Sequence, residues 1–243
     1  FHRTARLSTV RPIRDDSYDL QPIFALLRAW GPNDKLPLHQ LARKTAWLLA
    51  TVGFLRPSDL ARIDVAQCTD REGPQGFLRL AIDAPKEKRH GLRYVRSVSY
   101  HIHPDPILCP VQAYRAYRRA TGFNISRSPH PIITGRLITP LFRMLHQHDR
   151  PVQVDTIRGY ICDVMRHVGR DPPSLPVPKA RALGATLAAQ AGTPIADIVS
   201  RGAWSSQDMF DHFYRISSAT HTDFTRLTLE DPTSQQTSKC NMM

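Results

Sequence analysis

Four short segments of this 243-residue chain carry the side chains best suited to handling a phosphate ester. They are Arg56 in GFLRPSDLARI, Lys86 and Lys88 in APKEKRHG, Arg181 in PKARALGATLAAQAG, and Trp204 and Tyr214 in RGAWSSQDMFDHFYRI. A guanidinium donates two parallel hydrogen bonds to phosphate oxygens and never loses its charge. A tyrosine hydroxyl can form a covalent ester with phosphorus, and a lysine can protonate a departing oxygen. Taken singly, each residue also has a plain reading. Arg56 at a helix corner suits a surface residue or cap partner, and APKEKRHG suits a solvated turn. Arg181 suits the wet face of an alanine-rich helix, and Trp204 suits a core. Tyr214 lies in an aromatic run with Phe210 and Phe213, so packing competes with chemistry there.

The elements that must position these residues follow from periodicity. Leu20, Ile23, Phe24 and Leu27 recur at helical spacing, and WGPND breaks that helix. A stronger helix follows, with Leu38, Leu41, Ala42, Thr45, Leu48, Leu49 and Val52 as its apolar stripe. Pro57 and Ser58 then suit the first turn of a short helix, which puts Arg56 at the corner. From Gly76 to His103 the period falls to two. Leu78, Leu80 and Ile82 alternate with polar residues, and so do Leu92, Tyr94, Val98, Tyr100 and Ile102, which predicts a hairpin with APKEKRHG as its connection. Helical spacing returns at Pro110 and again over residues 154–168. The run DPPSLPVP is too rich in proline for a helix, and Gly192 can end the small-residue helix after it. Pro194 starts a short helix, and the last helix candidate carries Met209, Phe210 and Phe213 beside Tyr214. The fold class expected is mainly α with a small antiparallel β-sheet.

Lys and Arg total 33 against 21 Asp and Glu, a net charge of +12 spread along the chain, so a polyanionic partner is expected. No apolar run approaches a bilayer span and no secretory signal opens the chain, which predicts no membrane association and an intracellular location. Cys68, Cys109, Cys162 and Cys240 are far apart, without a C-x-x-C pair, and read as reduced thiols. The pairs His101/His103 and His146/His148 have no flanking carboxylate or Cys cluster and read as incidental. No phosphate-binding glycine loop is present, and no cofactor is expected. Residues 1–17 read as a linker from an upstream region, since the chain lacks an initiator Met. Residues 230–243 read as a disordered tail.

The order and spacing of the boxes resemble the catalytic domain of the tyrosine recombinase (phage integrase) family over roughly residues 20–216. TVGFLRPSDLARID is similar to its first box, where Arg is followed three positions later by an acid, here Asp59. The family carries a catalytic Lys in a hairpin turn about thirty residues on, which Lys86 matches best. PKARALGATLAAQAG resembles the second box, normally His-x-x-Arg, and matches Arg181. Pro178 stands where the His is usual, and proline has no proton to exchange; Lys179 is its neighbour. Trp204 and Tyr214 match the third feature. The W-S-S, M-F and F-Y-R pattern looks most like recombinases of eukaryotic Crypton and DIRS mobile elements.

The resemblance implies a catalytic domain over 18–229 in that family's fold, acting on double-stranded DNA as a homotetramer, beside an upstream DNA-clamping domain outside this chain. It implies that Tyr214 attacks a phosphate to give a 3′-phosphotyrosyl link. Arg56 and Arg181 would bind that phosphate, Lys86 would act as general acid, and Trp204 would pack nearby. In a eukaryote the location would be nuclear. Two rivals remain: a domesticated DNA-binding descendant that no longer cuts, and a type IB topoisomerase-like enzyme.

Overall fold

The structure, a computed structural model, describes residues 17–73, 76–85 and 92–216. Its centre is the helix α2, Leu38–Gly53. The other helices are α1 (Gln21–Trp30), α3 (Pro57–Leu60), α4 (Pro110–Ala120), α5 (Val154–Met165), α6 (Ala180–Gln190), α7 (Ile195–Gly202) and α8 (Gln207–Phe213). Helices α4, α5 and α6 all pack on α2. The single apolar stripe expected for α2 is therefore too narrow: every residue from Lys44 to Thr51 is buried, Trp47 and Ala50 among them. A helix covered on several sides must be apolar or small nearly all round, and AWLLAT supplies that. Val52, placed on the stripe by its spacing, is instead 40% exposed.

Three strands form the main sheet in the order β2 (Thr69–Arg71), β3 (Phe77–Asp83) and β4 (Val95–His101), all antiparallel. The expected hairpin is β3–β4, with Leu78 opposite Tyr100, Leu80 opposite Val98 and Ile82 opposite Arg96. Leu78, Leu80, Ile82, Val98 and Tyr100 face the core. Leu92 and Ile102 continue the alternation but lie beyond the paired segment, so they are exposed. The third strand, β2, is too short and polar to show a period. Two small antiparallel pairs complete the β structure of the described residues: β1 (Ser17–Asp19) with β7 (Gly169–Asp171), and β5 (Ser128–Pro129) with β6 (Leu137–Ile138). Ser17, assigned to the linker by composition, thus already belongs to a strand. The rest of that linker and the tail over 230–243 lie outside the described residues. The chain is mainly α with small antiparallel sheets, as its periodicities predict.

A second, smaller core holds Phe54, Ala185, Ile198, Trp204 and Phe210, and joins the end of α2 to α6, α7 and α8. Helices α2 and α6 approach so closely that a Cβ on Gly184 would lie 2.1 Å from the Thr51 carbonyl oxygen. That contact fixes the helix carrying Arg181. Among the described residues no helix is long and apolar enough to cross a membrane.

Candidate phosphate-binding site

Arg56 is placed by the way α2 stops. Phe54 adopts the left-handed conformation (φ 51°), Leu55 is buried, and Arg56 is extended (φ −82°, ψ 158°) ahead of Pro57 at the start of α3. The Arg56 backbone N–H donates to Asp59 Oδ2 at 3.0 Å, so the aspartate caps the short helix from within. The Arg56 side chain remains partly exposed, with Nη1 3.9 Å from the same oxygen.

Asp59 is fully buried, and four guanidiniums surround it. Arg62 lies 3.2 Å from Oδ1, while Arg56 and Arg181 each lie 3.9 Å and Arg96 4.0 Å from Oδ2. A buried carboxylate is costly unless paired, and here it is paired several times over, leaving the cluster with more positive than negative charge. Such a surplus favours an anion at its open side.

Arg181 sits in the first turn of α6 and is buried, so it is not on a solvated face. Its Nη2 donates to the Gly202 carbonyl at 2.7 Å, and its guanidinium carbon lies 4.6 Å from the Trp204 ring centre and 4.9 Å from that of Tyr214. Trp204 is itself core. Its ring packs on Phe54, Phe210 and Tyr214, the last at 4.8 Å between centroids.

Tyr214 directly follows the last residue of α8, as its C-cap. Its backbone N–H donates to the Phe210 carbonyl at 2.9 Å, and its carbonyl accepts from Thr186 Oγ1 at 3.3 Å. Thr186 Oγ1 also accepts from the Ile216 N–H, so one hydroxyl on α6 ties both sides of the tyrosine turn. The phenol is partly open to solvent, unlike Phe210, which is fully buried. It accepts a long hydrogen bond of 3.5 Å from Arg56 Nη2. Desolvation opposes ionisation of this hydroxyl, but the Arg56 hydrogen bond, the Arg181 and Arg56 charges and the Trp204 indole outweigh it. The pKa lies below the ordinary tyrosine value. Tyr160, another candidate nucleophile, is buried on α5, and burial raises its hydroxyl pKa.

Arg56, Arg181 and Tyr214 open into one cleft of about 710 Å³, whose floor and walls come from α2, α3, α5 and the segment before α6. Arg158 and Arg166, paired with Asp155 and Asp163, and Lys179 add cationic side chains to it, and among the described residues no carboxylate lines it. Pro178 is buried in its wall, while Lys179 beside it is exposed. Lys86 and Lys88 lie outside the described residues. Among the described residues no His, Cys, Asp and Glu gather in a group able to hold a metal ion. His103 and His148 instead bond locally to Asp105 and Leu145.

No protein-family model and no curated protein sequence matches this chain. Among solved structures it is similar to the Tn1549 transposon integrase in complex with circular intermediate DNA, at 17% identity and a TM-score of 0.49, covering 86% of this chain and 62% of that one. A variant of the same integrase in complex with transposon right end DNA is similar at 14% identity and a TM-score of 0.46, covering 90% of this chain and 63% of that one. This chain therefore spans about three fifths of the length of those integrase chains.

Sequence reasoning missed three arginines at this site. Arg62 lies three residues beyond Asp59 and bonds it directly at 3.2 Å. Arg96 is buried on β4, and Arg201 on α7 donates to the Val52 and Ser99 carbonyls at 2.8 and 3.0 Å. For Arg96 a signal existed: it shares the even parity of Tyr94, Val98 and Tyr100, and only its charge kept it off the inward face.

Proposed function

We propose that this chain is the catalytic domain of a tyrosine recombinase that cuts and rejoins DNA. The observation that carries the reading is the meeting of Arg56, Arg181 and Tyr214 around buried Asp59, at a cleft that no carboxylate among the described residues lines. In this reading Arg56 and Arg181 bind the non-bridging oxygens of a backbone phosphate and neutralise charge that builds up as it is attacked. The Tyr214 Oη–P bond forms while the P–O5′ bond breaks, which leaves a 3′-phosphotyrosyl ester and a free 5′ hydroxyl. The phenol, held below its ordinary pKa by Arg56 and Arg181 and partly open to solvent, gives its proton to water, and Lys86 protonates the departing O5′. The ester conserves the energy of the broken linkage, so rejoining is the same step in reverse and needs no nucleotide. Trp204 packs beneath the tyrosine and Arg181, and Asp59 orients both arginines.

The box pattern around Trp204 and Tyr214 supports a mobile-element enzyme of the Crypton or DIRS type, and the family resemblance supports a tetramer on two DNA duplexes. A second reading has one observation in its favour. Pro178 forms the cleft wall at the place where the family has a histidine, and a chain without that proton donor could bind DNA and no longer cut it. Incubation with duplex DNA carrying a nick next to the cleavage position separates the two. The fragment released at the nick prevents rejoining, so the enzyme reading predicts a detergent-stable protein–DNA adduct. DNA binding without any adduct favours the second reading.

A further inference from the structure

We infer that Arg96 is a positioning residue for Arg181, its buried guanidinium fixing the two groups against which Arg181 is braced: the Asp59 carboxylate and the C-terminal turn of α7. The inference rests on the recombinase reading of the same site. Arg96 lies opposite Ile82 in the β3–β4 register and is 5% exposed, on the same face as Val98 and Tyr100. An apolar side chain would serve the sheet better at that position, because a buried charge lowers stability unless it is well paired. Arg96 has two partners that matter to the site. Its Nη1 lies 4.0 Å from Asp59 Oδ2, and its Nη2 donates to the Arg201 carbonyl.

The next carbonyl along the chain, that of Gly202, accepts from Arg181 Nη2 at 2.7 Å, and Arg181 Nη1 lies 3.9 Å from Asp59 Oδ2. The contacts close a ring through Asp59, Arg181, Gly202, Arg201 and Arg96. Arg201 fastens the ring to the scaffold through the Val52 and Ser99 carbonyls. A planar guanidinium serves two acceptors in different directions at once, whereas an ammonium is a point charge on a flexible stem. Arg96 does not line the cleft, so it acts on phosphate only through Arg181 and Asp59.

The test compares Arg96→Met and Arg96→Lys with the unmodified chain, using thermal melting to establish that each folds. On nicked duplex DNA, Arg96→Met should form adduct about 100-fold more slowly while binding the DNA within about threefold, the size of loss expected when a phosphate-binding group shifts by about 1 Å. Arg96→Lys should recover part of the rate, because it keeps the charge near Asp59. A second readout needs no cleavage: the Tyr214 phenol titration, taken as the difference between each variant and its Tyr214→Phe partner, should move upward in Arg96→Met as Arg181 shifts from the ring. Wild-type rate with an unmoved titration in Arg96→Met overturns the inference, as does a rate loss matched by an equal loss of affinity. If Arg96→Met does not fold, Arg96→Lys carries the test, and full wild-type rate with an unmoved titration there overturns it. An unmodified chain that forms no adduct overturns the recombinase reading instead, and the titration then decides the role of Arg96.

Discussion

Arg56 and Arg181, from opposite halves of the chain, each place Nη1 3.9 Å from the same oxygen of Asp59. One buried carboxylate therefore sets the separation of the two groups proposed to grip a phosphate. Replacing it by Asn keeps the shape but leaves the guanidiniums facing one another without a counter-charge. Breaking such a buried arrangement typically costs about 3 kcal/mol or more. Asp59→Asn should lower the urea midpoint accordingly and abolish adduct formation; a variant of unchanged midpoint and activity would deny Asp59 this role.

Gly184 offers a test of how α6 is seated. Its added Cβ would meet the Thr51 carbonyl oxygen at 2.1 Å, a backbone atom that cannot swing aside. Gly184→Ala should cost about 1–3 kcal/mol through forced separation of α2 and α6. Displaced with α6, Arg181 should lose its alignment, and DNA cleavage should fall more than DNA binding. Chemical denaturation and the adduct assay together check both parts.

How far these features are legible in the sequence depends on whether they are periodic or geometric. Helices α2, α4, α5 and α6 and the β3–β4 hairpin announce themselves through apolar spacing, and the chain breaks at Gly53, Pro57 and Gly192 confirm their ends. Arg56, Arg181, Trp204 and Tyr214 stand out through their boxes, and the fold brings all four together. Arg62, Arg96 and Arg201 do not, because charged residues are ordinarily read as solvated. Nor does a local pattern say that α2 is covered by three helices from later in the chain, which is why the expected stripe omits Lys44, Ala46, Trp47 and Ala50, all of them buried.

Lys44 gives a pH signature. It is fully buried, its Nζ makes no hydrogen bond among the described residues, and desolvation, partly opposed by Asp105, pulls its pKa from 10.5 to about 8. The unfolded chain holds this proton between about pH 8 and 10.5 while the folded chain does not, so folding stability from this group rises with pH across that window. Below it the full penalty of a buried ammonium applies. Lys44→Met should stabilise the fold at pH 7 by about 1 kcal/mol or more. The gain should shrink as the pH approaches 10. A gain independent of pH would show that Lys44 is not held as a strained cation.

Cysteine labelling maps the cleft. Cys162 is exposed and lines it, Cys109 is buried, and burial pushes the Cys68 thiol up to about 12. In a Cys240→Ser background a maleimide should react first at Cys162, and duplex DNA should protect that thiol at low salt. Protection should fade steeply as salt rises, because phosphate contacts release counterions. Equal labelling of Cys162 with and without bound DNA would place the DNA elsewhere.

In the proposed reaction Tyr214 bonds to a DNA phosphate. After reaction with nicked duplex DNA, proteolysis and mass spectrometry of the adduct should find the nucleotide attached to the peptide containing Tyr214. Tyr214→Phe, which removes one hydroxyl and little packing, should bind DNA with nearly unchanged affinity and give no adduct. An adduct mapped to another residue, or persisting in Tyr214→Phe, would show that Tyr214 is not the nucleophile.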